Sequence, residues 1–157
     1  MAGDPIAALD QSIAAFMKYY FVYLNPVLHR GVHRGVPLSD NQIVVIMALG
    51  SYGPLRPTDL SRGLAMQKGS LTSILRKLRE HGLIERQDTP GEERSYRVRV
   101  TATGRAFCRK LDAQRRQGFQ ALFADMDPEH AHAAAHGIAL LTSHLRIREE
   151  ASCSSRS

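Results

Sequence analysis

The chain has 157 residues, of which 43% are hydrophobic and 23% are charged, so it can fold around one buried core. Its two cysteines are too few for a disulfide scaffold, and no stretch reaches the roughly 18 apolar residues of a membrane span. The first residues lack the pattern of a signal peptide, so we expect a soluble, cytoplasmic protein with no membrane partner. The net charge is +6, and residues 56–110 hold 13 basic and six acidic residues, which indicates an anionic partner.

Helices are predicted over most of the first third of the chain. Apolar residues recur every three or four positions over residues 6–27, and Pro26 is expected to kink this helix or end it. Glycines and a proline then predict a loop over residues 31–37. Residues 39–42 are typical of a capping box that begins a second helix. This helix is apolar on nearly all sides through Leu49, so we expect it to be central and buried.

Two short helices and a hairpin follow. Pro57 favours the start of one short helix, and residues 68–81 predict a second with one apolar side and one basic, polar side. Gly82 predicts a left-handed cap at the end of the second helix. Residues 83–87 and 95–101 are predicted as strands, with a longer tip between them.

Two further helices complete the predicted order. Thr101 or Thr103 is expected to cap a long helix that runs to about Asp125. Asp127, followed by a proline and a glutamate, predicts the start of a last helix. The serine-rich residues from Ala151 onward are expected to be disordered.

Two short helices, the second of them basic, are typical of a helix-turn-helix, and a basic hairpin next to them favours a DNA-binding wing. Hydroxyls and cations on the second helix can bind base edges or phosphates, and these residues are Lys68, Ser70, Thr72, Ser73, Arg76 and Lys77. Arginines around the hairpin can enter a minor groove, and these are Arg86, Arg94, Arg97 and Arg99. Taken alone, the residues of the second helix could equally be a solvated helix face, and the arginines could belong to an ordinary charged hairpin.

The region 56–107 resembles the winged helix of MarR-type (multiple antibiotic resistance) transcriptional regulators. The segments that carry the resemblance are Asp59-Leu60-Ser61, residues 69–78, residues 81–86, Arg94, Val100-Thr101 and Gly104. The flanking helices also resemble those of the family, so the likeness extends over about residues 5–148.

This resemblance implies a mostly α fold with a small β-hairpin wing. The winged helix-turn-helix would occupy residues 38–100, flanked by dimerisation helices at 5–36 and 101–148, with a disordered tail at 149–157. An acidic residue, here Glu92, would brace the wing arginine. The implied protein is no enzyme and needs no cofactor. It is a homodimeric repressor of a pseudo-palindromic operator in double-stranded DNA, released by a small-molecule effector.

The family's effector pockets lie near its first two helices, and there the chain offers Phe16, Tyr20, Tyr23, His29, Met47 and Tyr52. Aromatic rings beside a cation or a histidine suit small aromatic or phenolic acids. The same side chains fit an ordinary core or a dimer interface as well.

Other functions have weaker support in the sequence. His29 and His33 are four residues apart, as are His132 and His136, which is a spacing that can bind zinc, but no cluster completes a site. Cys108 lies among basic residues that could activate its thiol, although a buried structural cysteine is the alternative. No catalytic motif of a hydrolase, kinase or dehydrogenase is present. A winged helix that binds protein rather than DNA stays open.

Overall fold

The structure is a computed structural model that describes residues 4–88 and 96–154, with side chains as far as residue 146. Its elements in chain order are α1 (Pro5–Tyr19), a π-helical turn (Tyr20–Leu24), α2 (Asn25–His29), β1 (Val32–His33), β2 (Val36–Pro37), α3 (Asp40–Tyr52), α4 (Pro57–Gly63), α5 (Lys68–Glu80), β3 (Ile84–Asp88), β4 (Tyr96–Val100), α6 (Ala102–Leu122) and α7 (Pro128–Ser154). The mostly α fold with a small β-hairpin is confirmed. The chain forms two compact units, the first ending at Phe119 and the second beginning at Gln120, within α6.

The first helical segment begins at a defined cap and changes its helix type before Pro26. The Asp4 carboxylate accepts a hydrogen bond from the Ile6 N–H at 2.9 Å, and Pro5 takes the first helical position. Pro26 has no N–H to donate to the carbonyl of Val22, and that carbonyl lies in the π-helical turn that separates α1 from α2. The helical path therefore continues past the proline to His29 instead of ending at it.

Residues 31–37 contain a short antiparallel hairpin where a loop was predicted. Val32 pairs with Pro37 and His33 pairs with Val36. The two residues of the turn, Arg34 and Gly35, have φ values of +50° and +80°. A two-residue turn of this kind needs positive φ at both positions, which fits the twist of the strands it joins. The glycine that predicted a loop is thus part of a tight turn.

Helix α3 lies at the centre of the core, as its all-round apolar pattern predicts. The Ser39 N–H donates to the Gln42 side chain at 2.8 Å, and the Gln42 N–H donates to the Ser39 hydroxyl at 3.4 Å, so the predicted capping box is present. The core around it is formed by buried side chains from α3 to α6, namely Leu38, Ile43, Val45, Ile46, Leu49, Leu60, Leu71, Ile74, Leu75, Leu78, Leu83, Ile84, Val98, Val100, Phe107, Cys108 and Leu111.

The strands of the wing form a regular antiparallel pair. The register runs from Ile84 opposite Val100 to Asp88 opposite Tyr96. Leu55 adds a single bridge on the other side of β4, with hydrogen bonds of 3.1 and 2.8 Å to and from the Val98 backbone. This bridge joins the hairpin to the loop that precedes α4. Residues 89–95, which include the predicted tip, lie outside the described residues.

The junction between α5, the wing and α6 is held by one threonine. Of the two predicted caps, Thr101 is the one used, because its hydroxyl accepts from the Gly104 N–H at 2.9 Å. The same hydroxyl donates to the Gly82 carbonyl at 2.7 Å, directly after α5. Gly104 leaves no space for a Cβ, which would overlap the carbonyl oxygen of Leu83. The start of α6 is therefore fixed against the end of α5.

Helix α7 begins where the sequence predicts and ends later. The Asp127 carboxylate accepts from the Glu129 N–H at 2.8 Å, and Pro128 is the first helical residue. The helix then extends to Ser154, so the residues from 149 to 154, expected to be disordered, are helical. Strong helix formers over residues 148–151 account for this extension. Residues 155–157 lie outside the described part of the chain. Among the helices of the described residues, none is long and apolar enough to cross a membrane.

Candidate nucleic-acid interface

The turn between α4 and α5 sets the direction of the basic helix. Ala65 adopts a left-handed conformation with φ of +50°. The Met66 N–H donates to the Ser61 carbonyl at 2.9 Å, and the Ser61 hydroxyl donates to the Met66 carbonyl at 2.6 Å. These two bonds close the turn from both sides. Gln67 then caps α5 without a side-chain hydrogen bond, so the start of α5 depends on the turn.

Helix α5 is strongly amphipathic. Its buried side is formed by leucine and isoleucine side chains, which are Leu71, Ile74, Leu75 and Leu78. Burial of each such side chain contributes about 1.5–3 kcal/mol, which is enough to hold the helix in place. All predicted DNA-contacting residues of the helix are exposed, and these are Lys68, Ser70, Thr72, Ser73, Arg76 and Lys77. The prediction of one apolar and one polar side is confirmed.

The end of α5 is a Schellman motif built on Gly82. The Gly82 N–H donates to the Arg79 carbonyl at 2.9 Å, and the Leu83 N–H donates to the Leu78 carbonyl at 3.0 Å. Gly82 has a φ of +68°, as the sequence predicts for a left-handed cap. The helix therefore ends at a defined residue, beside the start of the wing.

Some polar side chains on the exposed side of α5 already have partners within the chain, and others do not. Arg76 forms a salt bridge with Glu80 at 3.2 Å, and the Thr72 hydroxyl donates to the Lys68 carbonyl at 2.8 Å. Within the described residues, no side chain pairs with the ammonium groups of Lys68 and Lys77. These two ammonium groups are consequently available to bind an anion.

The arginines of the wing are held by the wing itself. Arg86 forms an ion pair with Asp88, and its guanidinium lies 4.4 Å from the ring centroid of Tyr96. Arg99 pairs with Glu85 across the strands at 2.7 Å. The described part of the hairpin therefore carries less free positive charge than its arginine content suggests.

Arg97 is an exception among these arginines. Its Nη1 donates to the Pro54 carbonyl at 3.2 Å, and among the described residues no acidic side chain pairs with it. Arg97 lies on the face of β4 opposite Tyr96 and Val98, as the strand alternation predicts. Glu92 and Arg94, the predicted wing pair, fall outside the described residues and stay a prediction.

Asp88 and Tyr96 were not among the predicted site residues, although they hold Arg86. They are directly opposite each other at the last described pair of the hairpin. The contact between Arg86 and Asp88 could have been predicted, because the two residues are two positions apart and so share a face of β3. The contact with Tyr96 could not, because the length of the tip leaves the pairing of the two strands open.

Two of the six predicted effector residues, His29 and Met47, each line a cavity. His29 lines a cavity of about 250 Å³ with Asn25, Arg30 and Asp40. There the His29 ring contacts the Asn25 side chain, whose Nδ2 donates to Asp40 at 3.3 Å. The N-terminal helical segment is thereby joined to the first turn of α3. Apolar residues such as Val32 and Leu38 also line this cavity, and none of the predicted aromatic side chains does.

Met47 lines a second cavity, of about 210 Å³, between α3 and α6. Its other lining residues include Ser51, Arg105, Arg109 and Asp112, so two guanidinium groups border it. Arg105 and Arg109 are not among the predicted effector residues, because nothing local in the sequence places α6 beside the end of α3.

The aromatic residues of the prediction lie elsewhere. Phe16 is 48% exposed and Tyr23 is 55% exposed, while Tyr52 is 79% exposed at the end of α3. Tyr20 packs against Phe16 with ring centroids 6.1 Å apart. In the single chain Phe16, Tyr23 and Tyr52 are exposed and Tyr20 is half-buried, so the role of these rings in effector binding stays a prediction.

Cys108 is a buried group of the core. Burial is the main cause that raises the pKa of its thiol, and the nearby Asp112 carboxylate adds to the effect. The thiol lies 3.7 Å from the Ile46 carbonyl oxygen, to which it can donate. A raised pKa leaves little thiolate near neutral pH, so the neighbouring basic residues do not activate this cysteine.

Comparisons with known proteins agree with this geometry. Residues 38–96 match the MarR family. An uncharacterized HTH-type transcriptional regulator of Bacillus subtilis, YdgG, is 28% identical over 120 residues, covering 74% of this chain and 79% of the relative. The multiple antibiotic resistance protein MarR of Salmonella typhimurium is 31% identical over 71 residues, which is 45% of this chain and 49% of that protein.

Solved structures show the same fold. That of FabT from Streptococcus pneumoniae, in complex with DNA, has a TM-score of 0.68 and 20% identity, covering 90% of this chain and 97% of FabT. The resemblance on which the sequence analysis relied is thus confirmed. The matching family and fold are those of transcriptional regulators and not of enzymes.

Proposed function

We propose that this chain, of which residues 38–96 match the MarR family, is a winged-helix transcriptional regulator that acts as a homodimeric repressor of a pseudo-palindromic DNA operator and is released by a small aromatic or phenolic acid. The observation that best supports DNA binding is the exposed face of α5, where the ammonium groups of Lys68 and Lys77 have no partner among the described residues. A major groove admits an α-helix, and its base edges and phosphates bind hydroxyls and cations. The protein works where the DNA is, in the cytoplasm.

The wing supports a second contact with the same duplex. Arg97 lies on the outer face of β4 and has no acidic partner among the described residues, and Arg94 follows the hairpin's first strand in the sequence. A narrow minor groove attracts arginine through its strong negative potential. We therefore expect α5 to bind bases in the major groove and the wing to bind the adjacent minor groove.

The dimer is supported by exposed apolar residues on two helices. On α1 and the following π-helical turn, Ile13 is 43% exposed and Phe21 is 61% exposed. On α7, Ile138 and Leu140 are each 59% exposed and Leu145 is 64% exposed. Apolar surface of this kind marks an interface. A second copy of the chain is the partner that also produces the two-fold symmetry of a pseudo-palindromic operator.

The effector has its best support in the cavity bordered by Arg105 and Arg109. Guanidinium groups bind carboxylates with charge-assisted hydrogen bonds, and the Met47 side chain offers an apolar contact for a ring. An effector needs only to favour a spacing of the two DNA-binding lobes that mismatches the half-sites. A coupling free energy of about 1–3 kcal/mol would weaken DNA binding about 5–150-fold.

The test is binding of the purified protein to DNA from upstream of its own gene, with excess competitor and a salt titration. Tight binding that survives the competitor and is lost in Arg94→Ala would support the regulator, and candidate acids could then be screened for release. Binding that competitor abolishes would reduce the interface to a basic surface. A failure to bind even at low salt would contradict DNA binding and favour a protein-interaction module instead.

A zinc-sensing repressor of the same fold gains no support from the geometry. Among the residues that the structure describes, no three or more His, Cys, Asp or Glu side chains are grouped so that they could hold a metal ion. His33 is buried, whereas His132 and His136 are exposed on α7. Addition of zinc to the DNA-binding assay would test this alternative directly.

A further inference from the structure

His33 is a buried polar side chain without a partner for one of its ring nitrogens. The residue is 9% exposed, and its Nε2 has no hydrogen-bond partner among the described residues. An unpaired polar atom in a buried place is costly, and a buried positive charge costs more. The neutral ring is tolerated there, whereas a protonated ring would not be.

The surroundings of His33 connect three elements of the DNA-binding lobe. The His33 ring centroid lies 5.4 Å from that of Phe107 on α6 and 6.3 Å from that of His81, the residue that caps α5. His33 itself belongs to β1 of the first hairpin. The ring therefore lies where the hairpin, the end of α5 and the first turns of α6 pack together.

The charged groups around the ring all act against its protonation. They are Arg34 on the hairpin, His81 at the end of α5 and Lys110 on α6. Burial is the largest cause that lowers the pKa of His33, these three charges add to it, and a hydrogen bond with the His81 backbone acts in the opposite direction. No acidic side chain is among the groups that act on the ring.

We propose that His33 is a pH-sensitive latch, whose protonation separates the β1–β2 hairpin from α5 and α6 and loosens the junction at Gly82, Leu83 and Thr101. The sign follows from the two states. In the closed state the pKa is below the ordinary 6.5, and in the open state the ring is hydrated and titrates normally. Acidification below about pH 6.5 therefore favours the open state, by up to about tenfold for each unit between the two pKa values.

The consequence for DNA rests on the proposed function. A loosened junction no longer holds the end of α5 against the start of α6, so the helix loses its fixed direction in the groove. We expect operator affinity to fall on acidification from pH 7.5 to 5.5, beyond the change in a chain that lacks the His33 ring.

The latch can be tested without DNA through amide hydrogen exchange at the junction. The Leu83 amide donates to the Leu78 carbonyl and the Thr101 amide donates to the Leu83 carbonyl, each at 3.0 Å. Protection factors for these two amides, corrected for intrinsic exchange rates, would be measured at pH 7.5 and 5.5. The unchanged chain should lose protection severalfold at pH 5.5, whereas His33→Phe should keep it.

His33→Leu repeats the test with a smaller side chain, and His132→Gln on the exposed face of α7 is the matched histidine control, which should behave like the unchanged chain. An NMR titration of the His33 ring in the unchanged chain must share its midpoint with the loss of protection. The latch would be overturned if the His33 variants lose as much amide protection at pH 5.5 as the unchanged chain, or if the unchanged chain loses none. It would also be overturned if the His33 titration and the loss of protection have different midpoints. If the chain binds no DNA at any pH, the proposed function fails, and the exchange data still decide on the latch.

Discussion

Replacement of Lys77 by glutamine tests the assignment of α5 as the DNA-binding helix. Lys77 is exposed, and within the described residues its ammonium group has no acidic partner. Its removal should therefore leave the fold intact and delete one phosphate contact in each half-site. Each phosphate contact contributes about 0.9 to the slope of log K against log salt, so a dimer should lose about 1.8.

This change in slope has a measurable size. Between 50 and 200 mM salt, a difference of about 1.8 in slope makes the loss of affinity on adding salt about 12-fold smaller in the variant. Fluorescence anisotropy with the gene's own upstream DNA would measure both affinities. The weakening at low salt should be uniform across DNA sequences, because phosphates carry no sequence information.

Lys18→Gln is the matched control, because it removes one exposed ammonium group from α1, outside the winged helix. Its salt slope should equal that of the unchanged chain. An unchanged slope in Lys77→Gln would refute the placement of α5 at the phosphates. A loss of affinity confined to one sequence would instead assign Lys77 to a base edge, where a good contact is worth about 1–3 kcal/mol.

Three further predictions concern different parts of the lobe. Gly104→Ala should lower the free energy of unfolding by about 1–3 kcal/mol in urea denaturation, because its Cβ would overlap the Leu83 carbonyl, and a stability equal to that of the unchanged chain would contradict this packing. Ser70→Ala should change sequence preference more than the salt slope, as binding to a panel of operator variants would show. The Cys108 thiol should react slowly with a disulfide reagent at pH 7.5 and faster only when the chain is unfolded, because burial and Asp112 raise its pKa; equal rates would exclude the buried thiol.

The local parts of the fold follow from short-range rules and could be predicted from the sequence. The Ser39 capping box, the left-handed Gly82 and the start of α7 at Asp127 each depend on a few consecutive residues. The spacing of apolar residues likewise predicts which side of α5 is buried. These features need no knowledge of distant parts of the chain, which is why they are confirmed.

The free charge of the wing could not be predicted from short-range rules. The number of arginines suggested a basic hairpin, but Arg86 and Arg99 each pair with an acidic residue of the same hairpin. The Arg99–Glu85 pair joins residues 14 apart in the chain and depends on the strand register. Register across a long tip cannot be deduced from composition. Charge counted along a sequence therefore overestimates the charge that is free to bind DNA.

The lining of the cavity between α3 and α6 could not be predicted for a related reason. The choice of aromatic residues followed the family resemblance, whereas the cavity with two arginines is formed by α3 and α6, which are far apart in the sequence. Phe16 on α1 is 48% exposed in the single chain. In the proposed dimer a second copy would cover such rings, and a pocket completed between two copies would depend on a geometry that local sequence patterns do not encode.

The segment from Val100 to Gly104 connects these observations. In the sequence it was only a family signature, but the Thr101 hydroxyl bonds the end of α5 and caps α6, while Gly104 permits their close contact. Arg105 follows immediately, its Nη1 donating to the Val100 carbonyl at 3.2 Å, and it borders the cavity proposed for the effector. If the proposed effector is an anion that draws Arg105 away from that carbonyl, it would act one residue from the glycine on which the junction depends. In that proposal the segment would be the short physical connection through which a ligand on α6 changes the direction of α5.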